Sequence, residues 1–133
     1  MSKDRFDDLF TPDLINTMFP DNRADRFFDA LYGDPSEGAY DIKLVFKQST
    51  QDTLLFEFHL TQRSQKCLRC NLTYGLPGVF SRHPVINVKG LVQQIDQHLN
   101  GRGRCVDWKL GATREISDEL HVIPFTINVE NAA

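Results

Sequence analysis

Between Tyr40 and Leu60 the sequence follows a period of two, and no other feature constrains the chain as much. Tyr40, Ile42, Leu44 and Phe46 alternate with Asp41, Lys43 and Val45. After a polar stretch over 48–52, Leu54, Phe56, Phe58 and Leu60 alternate with Leu55, Glu57, His59 and Thr61. Successive side chains of a strand point to opposite faces, so each run has a dry face and a wet one. Two such runs joined by a polar turn predict an antiparallel hairpin. Its dry face must be covered, and helices elsewhere in the chain are the means.

The flanks supply them. Residues 5–32 read as helical. Phe6, Leu9 and Phe10 fall at i, i+3 and i+4. Thr11, Pro12 and Asp13 read as an N-cap, a first-position proline and a first-turn acid. Leu14, Ile15, Met18 and Phe19 make one apolar stripe, which Pro20 stops. Asp21 or Asn22 can cap a second helix through Phe27, Phe28 and Leu31 to Gly33. Beyond the hairpin, a turn at 63–66 predicts a third strand. It places Leu68, Cys70, Leu72 and Tyr74 inward, with Arg69, Asn71 and Thr73 outward. Residues 75–87 read as a loop, and Val88, Leu91, Val92, Ile95 and Leu99 as the buried stripe of a helix over 88–99. Val106, Trp108 and Leu110 predict a fourth strand; Ile123, Phe125, Ile127 and Val129 predict a fifth. Pro124 cannot donate to a ladder, which predicts an edge strand or a bulge there. The expectation is one α+β domain over 1–133. It has two layers: an antiparallel sheet of about five strands over 39–129, in the order βββ-α-ββ, with the N-terminal helices and the 88–99 helix on one face.

Composition agrees with one globular domain. Hydrophobic residues are 41% and charged residues 25%, enough apolar surface for a core and too ordered a mixture for a rod or a disordered chain. The net charge of −3, with no run of five like charges, lacks the basic excess that duplex nucleic acid demands. The longest purely apolar runs, such as Leu54–Leu55–Phe56, are three residues, far short of a bilayer span. The first ten residues lack the long apolar stretch of a secretory signal. With three cysteines, an odd number, the expectation is reduced thiols in a cytoplasmic protein.

Three groups of residues could carry chemistry. Cys67 and Cys70 have the spacing of half a zinc site. The other half would need Cys105 and one of His83, His98 or His121. On an extended backbone the two sulfurs would diverge, and a redox pair would need a helix N-terminus beneath it. Glu57 and His59 share one strand face, where a carboxylate can tune an imidazole toward general-base work. With Arg69 they mark the polar sheet face as a contact surface, or as ordinary solvated surface. The 75–87 loop gathers Tyr74, Ser81, Arg82, His83 and Asn87 ahead of a helix N-terminus, an arrangement suited to an anion. Its plain alternative is a connector tacked to the core by Val79, Phe80, Val85 and Ile86. The phosphate-loop, dinucleotide, zinc-protease and serine-elbow motifs are absent from the sequence.

The blocks FFDALYGDPSEGAYDIKLVF, KCLRCNLTYGLPGVFSRHPVIN and LHVIPFTI resemble those of a small uncharacterised bacterial family, some of whose members carry a pancreas/duodenum homeobox label. The resemblance spans 6–129 and implies no particular activity. A homeodomain is three helices with a basic recognition helix, whereas this chain alternates like strands. Separately, the order helix–βββ–helix–ββ is similar to that of type III secretion chaperones, acidic dimers that bind partner polypeptides. The reading reached is a cytoplasmic, non-enzymatic binding or regulatory module. Its partner would be a protein or a small anionic ligand, with no membrane and no nucleic acid. A homodimer could form through the Phe-rich N-terminal segment. A zinc protein is the alternative; otherwise no cofactor is expected.

Overall fold

The computed structural model describes residues 9–50, 52–68, 73–99 and 101–131. Helix α1 spans Pro12–Met18, with the Thr11 hydroxyl accepting from the Leu14 N–H at 3.2 Å. Helix α2 spans Arg23–Tyr32 and ends on Gly33 at φ 76°, a left-handed stop that glycine adopts without strain. Strands β1 (Tyr40–Ser49) and β2 (Thr53–Gln62) form the expected hairpin, Leu44 opposite Phe58 and Tyr40 opposite Gln62. A short helix α3 (Leu76–Phe80) and helix α4 (Val88–His98) follow. Strands β3 (Gly103–Leu110), β4 (Arg114–Ser117) and β5 (Leu120–Asn131) complete the chain.

The five strands form one antiparallel sheet in the spatial order β1-β2-β5-β3, with β4 pairing β5 beyond the end of β3. The α+β class and the single sheet stand as expected. The distribution of strands differs. The expected third strand falls mainly on 69–72, outside the described residues. On its flanks Leu68 lies in a bend, and Thr73–Gly75 form a 3-10 turn leading into α3. The strand that sequence spacing did not predict is β4, whose REIS carries no alternation to betray it.

The dry face is a continuous apolar layer. Ile42, Leu44, Leu54, Phe56, Phe58, Leu60, Ile123, Phe125 and Ile127 are all at most 2% exposed, and Phe10, Phe27, Phe80, Leu91 and Ile95 cover them. Phe10, Phe19, Phe27 and Phe28 of the N-terminal segment turn into this core. At about 1.5–3 kcal/mol for each large side chain removed from water, this layer is the main stabilising term. Gly38 is set by it: a Cβ there would fall 2.1 Å from the Phe28 ring.

Two expectations on β-structure need correction. Pro124 lies in β5, a central strand, opposite Glu57 of β2. The Gly111 N–H donates to the Pro124 carbonyl at 2.8 Å, so both backbone groups of Pro124 face the gap between β3 and β4. The missing donor therefore costs no ladder bond. In β3 the register slips between Cys105 and Asp107. That bulge puts Val106 into solvent at 55% exposure and turns Cys105 toward the core.

Two arginines tie the layers together. Arg63 donates to Asp41 at 3.0 Å, to Asp25 at 2.7 Å and to the Pro35 carbonyl at 2.9 Å, and lies over the Phe28 ring. Arg23 donates to the Val85 and Ile86 carbonyls at 3.1 and 3.3 Å and lies over Phe19. It pins the segment before α4 to α2.

Candidate functional site

Most of the polar groups that the sequence singles out around the 75–87 segment have a local partner. Asn87 adopts φ 50° and its side chain accepts from the Gly90 N–H at 3.2 Å, so α4 caps itself. The Ser81 hydroxyl donates to the Gly78 carbonyl at 2.9 Å. His83 accepts from the Val85 N–H through Nδ1 and sets its ring edge-on against Phe27, 4.8 Å between centroids. Tyr74 is 65% exposed. Its hydrogen bond with Glu115, and that carboxylate's charge, hold the phenol above its ordinary value. Arg82 is exposed, with its guanidinium near Gly78. The side chains of Tyr74, Ser81, His83 and Asn87 thus each bond to a different partner, and none of the five side chains bonds to another.

On the open sheet face, Glu57 and His59 do meet, Oε1 to Nε2 at 2.8 Å. Glu57 stands between Val45 and Pro124, and His59 between Lys43 and Val122. Among the described residues neither side chain has a further hydrogen-bond partner. Arg69 lies outside the described residues.

Cys67 is disulfide-bonded, and a sulfur in a disulfide is not the thiolate that zinc needs. The expectation of reduced thiols fails at this residue as well. Cys70 lies outside the described residues. Cys105 is free and half-buried; burial, then the Asp96 carboxylate, push its thiol up to about 12. His83 is engaged beside α2, and His121 is buried with Nδ1 2.8 Å from the Thr73 hydroxyl. Among the described residues no three His, Cys, Asp or Glu side chains are placed to hold a metal.

A different place has the shape of a site. A cavity of about 500 Å³ lies between α1 and β1. One wall is Phe10, Pro12, Asp13, Ile15, Asn16, Phe19 and Asp21; the other is Lys43, Leu44, Val45 and Phe46. Phe10, Ile15 and Phe19 are buried and make an apolar floor, while Asp13, Asn16, Asp21 and Lys43 make an exposed polar rim. Among the described residues none of Asp13, Asp21 and Lys43 forms an ion pair. A volume near 500 Å³ falls within the 300–1,000 Å³ typical of ligand pockets.

The sequence reading missed this groove. Ile15 and Phe19 announced themselves as core, and Lys43 as the wet face of a strand. Only the sheet order shows that β1 is an edge strand and that α1 runs beside it. No protein-family model matches the chain, and no characterised protein or solved structure matches it either.

Proposed function

We propose that this chain is a non-enzymatic polypeptide-binding module that takes an extended segment of a partner protein along the free edge of β1. One observation carries the reading: four successive residues, Lys43 to Phe46, line the cavity. Alternate side chains of a strand point to opposite faces, so a cavity that touches four in a row meets the strand's edge rather than one face. Among the described residues β1 pairs with β2 alone. Its outer edge therefore presents backbone N–H and C=O groups in alternation, and the natural complement is another extended backbone. The ladder supplies affinity, and the apolar floor under α1 supplies a pocket for side chains.

The 75–87 segment and the polar face around Glu57 and His59 remain secondary contact surfaces in this proposal. The secretion-chaperone analogy shares the idea of a polypeptide ligand, but the order here is ββ-αα-βββ.

The test selects binders from a random peptide library against the immobilised protein, then maps amide hydrogen exchange. Selected peptides should slow exchange by roughly tenfold or more at outward-facing amides within 43–46 and leave 105–110 unchanged. Protection confined to 75–87, or none along β1, rejects the proposal.

A further inference from the structure

The charges around the groove say which segment fits. We infer that the partner strand is basic on the side it turns toward α1, an inference that rests on the edge-pairing reading above. Asp13 and Asp21 stand exposed on the α1 side of the cavity, and Lys43 on the strand side. None of the three is neutralised by an ion pair among the described residues. A strand laid beside β1 sends alternate side chains toward α1 and the others toward the open sheet face. Those facing α1 pass over Ile15 and Phe19, which are 7% and 2% exposed. They then reach a rim carrying two carboxylates. A long aliphatic stem with a cationic head matches both parts of that path, stem on the floor and head at the rim. On the other side the neighbours are Lys43 and Val45, which suit a neutral or acidic residue. The bulge between Phe46 and Gln48 ends the regular edge and holds the match to about four residues.

Two blocked seven-residue peptides test this. Both carry threonine at odd positions and valine at the centre. One has arginine at the second and sixth positions, the other glutamate. The arginine peptide should bind roughly tenfold tighter at low salt, with the ratio shrinking as salt rises. Replacing both rim acids, Asp13→Lys with Asp21→Lys, should reverse the preference. Should that variant melt early, Asp13→Asn with Asp21→Asn should bring the two affinities within about twofold. Equal binding of both peptides to the unaltered protein, with β1 amides protected, overturns the basic-partner inference and leaves edge pairing standing. If neither peptide protects β1, edge pairing itself fails, and the inference with it. A dimer whose β1 amides are already protected, and which neither peptide displaces, assigns the edge to a second copy and also overturns the inference.

Discussion

The sheet has two edges, and they are built differently. Along β1 the ladder is regular from Tyr40 to Phe46, and α1 stands off it across the groove. The opposite edge is two short strands, β3 and β4, separated at 111–113. Its register slips twice, between Cys105 and Asp107 and between Glu115 and Ser117. Val106 and Ile116, the extra residues at those slips, are 55% and 53% exposed. The Cys105 N–H is taken by the Asp96 carboxylate at 2.7 Å. Short strands, bulges and capped donors are how natural sheets stop edge-to-edge association. The β3/β4 edge uses all three within fifteen residues, while β1 defers its bulge until Lys47. One edge is closed to pairing. Among the described residues the other is left regular, with α1 across a groove from it.

The largest expected effect comes from removing that wall's anchor. Phe10 is 4% exposed and its ring centroid lies 5.1 Å from Phe46 and 5.2 Å from Phe56. Phe10→Ala should cost about 3–5 kcal/mol in chemical denaturation. Trp108→Ala, at the half-buried opposite edge where the nearest ring is Phe125 at 6.3 Å, should cost clearly less. Equal losses would mean that α1 is no more firmly seated than the margin of β3.

A smaller effect should follow from opening the closed edge. Asp96→Ala removes a charged acceptor from the Cys105 N–H, a bond worth about 1.5–3 kcal/mol. It also frees a donor on the edge. The variant should melt earlier and show more self-association than the parent by light scattering. A variant that melts earlier yet stays monodisperse would show that the bulges alone suffice to close this edge.

The contrast between the edges explains what could be read in advance. Period-two runs and helical stripes name faces, so the dry layer of Leu44, Phe58 and Phe125 was legible from local spacing. Caps were legible too, since Thr11–Pro12 and Asn87 act on backbone groups three residues away. An edge is a relation between strands far apart in sequence, and no local pattern encodes it. Hence Pro124 looked like an edge residue when the true device was a gap in its neighbour. The bulge at Val106 broke the alternation by one residue, so spacing alone placed Val106 inward although it lies in solvent. Thr73, placed outward by alternation, is 1% exposed and bonded to His121, because its backbone is a 3-10 turn. The candidate groove was invisible for the same reason as the edge: its two walls are α1 and residues 43–46, and only the fold sets them face to face.

The smallest effect concerns proton affinity rather than folding energy. Cys105 lies on the closed edge, and its thiol is pushed from an ordinary value of 9.0 up to about 12 by burial first and Asp96 second. The folded protein therefore holds this proton more tightly than the unfolded chain. The corresponding stability is fully present below about pH 9 and fades as pH rises through 12. Only the thiolate attacks alkylating agents, so at pH 8 iodoacetamide should modify native Cys105 far more slowly than the same residue in denaturant. Raising the pH toward 11 should narrow the difference. Asp96→Ala should speed the native reaction, because one of the two causes is gone, yet leave it slower than in the unfolded chain, because burial remains. Mass spectrometry of peptides containing Cys105 reads this separately from Cys67. If native Cys105 reacts at pH 8 as fast as it does in denaturant, the β3 edge is open to solvent, and the difference between the two edges shrinks to the groove beside β1.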